Sequence, residues 1–146
     1  MVDIKNRVFE ILNKTHLMSL GTLDDGGVWV SDVIFIFDEN LNIYWMSNPD
    51  TRHSTAISKI NLVSGTITQK KKSGKQNFEI QFTGKAEKID VLRYDLACKH
   101  FEKRGKQKPE ESDDVLDGDS WYILIPNKIE LIDEENFGFE KQSLEL

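Results

Sequence analysis

The sequence predicts a mainly β protein: antiparallel strands in meander order that curl into a small barrel, with an N-terminal helix, a short helix inserted between strands and a third helix at the rim. Three observations predict it. Apolar and polar residues alternate along several short stretches, Asp, Asn and Gly turns punctuate them, and only three stretches switch to helical spacing. The 146 residues suit one domain, 1–146, with a substantial core, and they contain no internal repeat or low-complexity tract.

Ile4, Val8, Ile11 and Leu12 recur at helical spacing, so the first element is expected to be an amphipathic helix covering one opening of the sheet. His16 to Leu23 reads as a strand with Met18 and Leu20 on one face, and Asp24-Asp25-Gly26-Gly27 as a hairpin turn. Val28 to Phe37 is apolar on both faces over most of its length, which predicts a central strand covered on both sides. Ser31 and Asp32 interrupt that run. A polar pair in a doubly buried strand needs partners, and a ligand, neighbouring backbone groups or a bulge would each supply them. Asp38-Glu39-Asn40 then turns the chain into the strand Ile43-Tyr44-Trp45-Met46-Ser47.

A polar turn, a short helix and the strand Leu62 to Thr68 follow. Asn48 is placed as the N-cap and Pro49 in the first helical position. At about 100° per residue, Arg52, His53, Ala56, Ile57 and Ile60 share one side, so the buried face carries a basic pair at its N-terminal end. Unpaired N–H groups and the helix dipole favour an anion there, and Arg52, His53 and the hydroxyls of Ser47, Thr51 and Ser54 would complete a pocket suited to phosphate. The same spacing equally describes an arginine lying along the sheet with its head in water and a structural histidine.

Lys70-Lys71-Lys72-Ser73-Gly74-Lys75 reads as a solvated hairpin tip that could also guide an anionic ligand. Phe78 to Glu87 alternates, with Phe78, Ile80, Phe82 and Ala86 inward. Val91 to Arg104 is helical through Leu92, Leu96, Ala97 and Phe101; Cys98 is expected as a small filler and His100 on the surface. Pro109 to Asp119 is an acidic loop without the alternating carboxylates of a calcium site. Trp121 to Ile125 and Lys128 to Ile132 are two strand segments broken at Pro126-Asn127, and Phe137-Gly138-Phe139 is expected to dock its rings on this subunit or a partner.

Composition narrows the partners. A net charge of -6 disfavours nucleic acid, since phosphate backbones are held by cationic surfaces. The single cysteine excludes an intrachain disulfide or a cysteine-rich zinc site and fits a reducing cytoplasm. No apolar run has the length of a signal peptide or a membrane span, so neither export nor a membrane partner is expected.

Taken in order, these segments resemble the flavin-binding split barrels related to pyridoxamine 5'-phosphate oxidase. The resemblance runs through the N-terminal helix, the strand-turn-strand from Leu17 to Phe37, Ile43 to Ser47 followed by Thr51-Arg52-His53, the strand Phe82-Thr83-Gly84-Lys85-Ala86-Glu87, and Ile125-Pro126-Asn127-Lys128-Ile129-Glu130-Leu131. It implies an antiparallel split β-barrel that forms a homodimer, with FMN in two clefts at the interface and a small-molecule substrate. Ser47, Thr51, Arg52 and His53 match positions that hold the FMN phosphate, with Met46 beside them; Ser31, Asp32 and Val33 match the strand beside the isoalloxazine ring, and Glu79 or Gln81 a strand residue near it.

Departures from the family pattern bear on activity. His53 stands where a lysine is often found, Ile132 stands where the vitamin-oxidising enzymes have tryptophan, and the tail after Phe137 offers only Lys141 as a cation. Pyridoxamine 5'-phosphate is therefore not the expected substrate. An FMN-dependent oxidoreductase is the first reading; no catalytic triad or carboxylate pair is needed, because the flavin ring carries the electrons. A flavin or small-ligand binding protein without turnover is the alternative, and haem or a deazaflavin could replace FMN.

Overall fold

The computed structural model describes residues 2–69 and 77–146, so the expected lysine-rich tip lies outside the described residues. Among those residues, eight strands form one antiparallel sheet: β1 (Leu17–Asp24), β2 (Gly27–Ile34), β3 (Ile36–Phe37), β4 (Ile43–Ser47), β5 (Leu62–Gln69), β6 (Phe78–Ile89), β7 (Ser120–Asp133) and β8 (Gln142–Glu145). Their order is β2-β1-β5-β6-β7-β4-β3, with β8 added to β7. Four helices accompany them: α1 (Ile4–Lys14), α2 (Arg52–Lys59), α3 (Tyr94–Lys103) and the short α4 (Glu134–Phe137).

The hairpin between β1 and β2 follows from its turn residues. Asp24 pairs with Gly27, the Asp24 carboxylate accepts the Gly26 N–H at 2.8 Å, and Gly27 takes φ +107°, a conformation that favours glycine. The sheet curls because two glycines allow close approach: a Cβ on Gly65 would lie 2.6 Å from the Phe82 ring, and one on Gly84 would collide with the Ile125 carbonyl. Apolar residues of the concave side, including Met18, Leu20, Trp45, Ile67, Ile80 and Leu124, form the main core, which α1 covers with Val8, Ile11 and Leu12. A smaller core of Ile36, Tyr44 and Trp121 on the other side of the sheet lies against Leu96 and Ala97 of α3.

Several expectations are corrected by this arrangement. Val28 to Phe37 is not a central strand: β2 is the sheet edge, and Val28, Trp29 and Val30 are 75%, 43% and 61% exposed. Pro126-Asn127 does not end a strand. β7 runs through it, with Thr83 opposite Lys128 and Gly84 opposite Pro126, so Asn127 is the extra residue of a bulge. α3 starts at Tyr94, leaving Leu92 outside it and 89% exposed. The tail divides: Phe137 packs against the main core, Phe139 is 91% exposed, and the chain then adds β8, which alternation over so few residues did not reveal.

His100 is also displaced from its expected place on the surface. It is 4% exposed, its ring meets Trp121 edge-on at 5.8 Å, and its Nδ1 lacks a partner among the described residues. Burial, reinforced by Arg104, Lys103 and Lys106, lowers its pKa to about 4. The unfolded chain therefore binds a proton at His100 below its ordinary 6.5, whereas the folded chain does so only near 4. Stability from this residue is complete above that window and falls as pH drops through it, by about 1–2 kcal/mol once solvent screening is allowed for. In chemical denaturation at pH 7 and pH 4, His100→Gln is expected to lose less stability on acidification than the parent; equal losses would remove His100 from the acid response.

Candidate functional site

The start of α2 is defined by side chains on either side of it. Thr51 is the N-cap: its Oγ1 accepts the Ser54 N–H at 3.4 Å and shares a 2.7 Å hydrogen bond with the Ser54 hydroxyl. Asn48, expected to cap the helix, shapes the preceding turn. Its Oδ1 accepts the Asp50 N–H at 2.8 Å, and its carbonyl accepts the Thr51 N–H at 3.1 Å. The helix thus begins three residues later than its sequence suggested, because Thr51 reaches the first-turn N–H groups that Asn48 does not.

This shift places His53 in the first turn. Its Nε2 lies 2.9 Å from Ser47 Oγ and 3.4 Å from Thr51 Oγ1, and its Nδ1 lies 3.2 Å from Ser31 Oγ. One imidazole thus links β2, β4 and the cap of α2. Burial lowers its pKa below the ordinary 6.5, so the ring is neutral at pH 7, with one N–H donor and one acceptor. The three hydroxyls can each turn to suit either tautomer. The cluster therefore offers an anion rotatable O–H donors at a helix N-terminus, without a fixed positive charge of its own.

Arg52 supplies the charge nearby, but it engages the β1–β2 turn. Its Nε donates to Asp24 Oδ2 at 2.9 Å and its Nη2 to Asp24 Oδ1 at 3.1 Å, while the guanidinium stacks 4.3 Å from the Trp29 ring centre. The hydrogen bond from Arg52 holds the Asp24 carboxyl below its usual range, and Asp24 in turn raises Arg52. The Arg52 side chain is 39% exposed, contrary to the buried basic face expected, and Ser54, Ala56 and Ile57 form the buried face instead. A cavity of about 590 Å³ opens beside it, between the Asp24-Asp25-Gly26 turn and Thr55, Lys59 and Ile60.

The structure brings together Ser31, Ser47, Thr51 and His53, with Arg52 one residue away. Val33 lies on the same face of β2 as Ser31 but is buried in the main core. Asp32 falls on the other face, where its carboxylate accepts the Ser19 hydroxyl at 2.6 Å. Met46 alternates away from Ser47 and packs on the Trp121 cluster. Gln81 accepts from Lys141 Nζ at 2.9 Å. Asp24 and Trp29, which hold Arg52, were read only as a turn and a strand residue; their partner lies more than twenty positions away, and no local spacing signals such a contact.

No protein-family model matches the chain. The UPF0306 protein YhbP of Salmonella paratyphi A is 24% identical over 104 residues, which span 70% of this chain and 71% of YhbP. Among solved structures, the chain superposes on the conserved hypothetical protein Rv2991 from Mycobacterium tuberculosis with a TM-score of 0.82, at 12% identity over 99% of this chain and 93% of that one. It superposes on a heme binding protein from Mycobacterium smegmatis with a TM-score of 0.76, at 14% identity over 99% of this chain and 59% of that one. A Listeria innocua protein provisionally named a pyridoxamine 5'-phosphate oxidase gives 0.69, at 13% identity over 89% of this chain and 98% of that one. These likenesses establish the fold, a mainly β antiparallel split barrel.

The neutral state of His53 has a direct readout. In an NMR titration its imidazole is expected to change protonation below the ordinary 6.5. A midpoint above that value would mean that the cluster carries a cation.

Proposed function

We propose that this protein binds FMN at the Ser31, Ser47, Thr51 and His53 cluster and acts as a flavin-dependent oxidoreductase on a small molecule other than pyridoxamine 5'-phosphate. The proposal includes a homodimer with its clefts at the interface, in a reducing cytoplasm. The observation that carries the reading is the convergence of three hydroxyls on one imidazole at the N-terminus of α2. Ser47, Thr51 and His53 would hold the phosphate, and Ser31 would line the adjoining wall, with Val33 behind it in the core. FMN, when bound, supplies the electron transfer; the chain supplies position, hydrogen bonds and shielding from water.

Arg52 joins this site if it exchanges one anion for another. Its pair with Asp24 is partly solvated, and such pairs yield readily to a better partner. A phosphate with two negative charges at a helix N-terminus is such a partner. At this cluster haem fits less well than FMN, since both ring nitrogens of His53 have hydroxyl partners.

The dimer is supported by β2. Among the described residues no strand pairs with the outer edge of β2, and an open edge with exposed Val28, Trp29 and Val30 is a surface that proteins normally cover. A second copy across this edge would give the strand the two-sided burial for which its composition is suited. One observation favours a second reading, a flavin carrier without turnover: the cation of the C-terminal tail, Lys141, is held by Gln81 and Glu130 and is not offered to a substrate. Rapid bleaching of bound flavin by a reduced nicotinamide, with recovery on adding an oxidant, would separate the oxidoreductase from the carrier.

The purified protein is expected to show flavin absorption, retained or restored with FMN. Arg52→Ala should then weaken FMN binding about ten-fold or more, and Asp24→Asn, which frees Arg52, should tighten it. A colourless protein that takes up no FMN refutes the cofactor; an unchanged affinity in both variants removes Arg52 from the site. By light scattering the parent should have twice the chain's 16.9 kDa, and Val30→Glu should return it to the monomer mass. A monomeric parent would refute the dimer.

A further inference from the structure

A second cavity, of about 630 Å³, shares no residue with the His53 cluster and lies between α1, the end of β3 and α3. Its volume is that of a small-molecule site. Phe9 and Phe37 form two of its walls, their ring centres 6.0 Å apart and tilted by 39°, and both rings remain only partly buried. The two rings touch each other and together leave one apolar face turned to the open space.

Lys103 is the unusual member of the lining. Its Nζ lies 3.6 Å from the Phe35 ring centre and 5.4 Å from that of Phe37, and it donates to the Leu12 carbonyl at 3.1 Å. Among the described residues no carboxylate pairs with it, and burial pushes its pKa down to about 8. An ammonium drawn out of water onto aromatic faces, with N–H groups to spare, is incompletely compensated. Lys99, which donates weakly to the Phe37 carbonyl at 3.4 Å, adds a second cation on the exposed side.

The acidic groups of the lining limit the ligand's charge. Asp38 is committed internally, its carboxylate accepting from the Tyr44 hydroxyl at 2.8 Å and the Asn42 amide at 3.1 Å. Glu39 and Glu102 are exposed and unpaired among the described residues, so they would oppose a second negative charge.

We propose that this cavity is a small-molecule site for a monoanionic aromatic acid, with the ring packed on the Phe9–Phe37 pair and the carboxylate on Lys103, assisted by Lys99. This assignment does not rest on flavin binding. The ring covers the apolar face of that pair, and the carboxylate gives Lys103 the counter-charge that the fold withholds.

Benzoate, benzamide and phenyl phosphate test the proposal in amide NMR titrations of the full chain. They present the same ring with one negative charge, none and about two. Benzoate is expected to saturate shifts at Phe9, Phe37 and Lys103, with the other two probes at least about ten-fold weaker, and Lys103→Met should weaken benzoate by a similar factor. The comparison of probes on the parent protein stands even if the variant fails to fold. Equal binding of benzamide and benzoate would overturn the role of charge, and equal binding of phenyl phosphate the preference for a monoanion. Benzoate binding unchanged in a folded Lys103→Met protein, shifts mapping to the His53 cluster, or no saturable binding would each overturn the site.

Discussion

The constraint on which the structure depends is the bulge of β7 at Pro126-Asn127, opposite Gly84. A proline has no N–H to give to a ladder, and glycine alone leaves room for the Ile125 carbonyl to cross so close. The strand continues, displaced by one residue, and its two halves serve different neighbours. The first half pairs with β4 from Ile43–Leu124 to Ser47–Ser120, and the second pairs with β8. With the curl at Gly65, this carries β4 round until it meets β2, although the two stand near opposite ends of the strand order. Only then can one histidine reach Ser31 on one strand and Ser47 on the other.

The curl is held closed by a pin between the two ends of the chain. Arg7 of α1 donates to Asp133 at 2.7 Å, to Glu10 at 2.7 Å and to Glu135 at 3.3 Å, with its guanidinium 4.3 Å from the Phe78 ring centre. The Asp133 side chain is fully buried, and burial alone would raise its pKa; the hydrogen bonds from Arg7 and Asn136 outweigh that and hold it below the usual carboxylate range. Removing one member of such a buried pair typically costs about 3–5 kcal/mol, because the other charge is left without compensation. The pin keeps α1 over the main core, and with it the position of Phe9 on the second cavity.

Desolvation acts on one basic group at the hydroxyl cluster and one at the second cavity. Burial lowers the pKa of His53, and Lys103 is drawn toward neutrality by the same cause. Arg52 remains charged and is held by Asp24 instead. A protein with a net charge of -6 thus keeps individual donors where a small anion could reach them.

Periodicity and turn chemistry were sufficient to determine much of this protein. The inward set of β6, the apolar stripe of α1, the Asp24 to Gly27 hairpin and the order strand, turn, helix, strand around His53 were all legible, since each depends on residues a few positions apart sharing one face. The cluster residues Ser47, Thr51 and His53 were legible for the same reason. What escaped depends on which strands become neighbours. The edge position of β2, the capture of Arg52 by Asp24, the burial of His100 under Trp121 and the seclusion of Lys103 are contacts between distant segments, decided by the curl of the sheet. Local spacing sets which face a side chain takes, whereas only the closed sheet sets what that face meets.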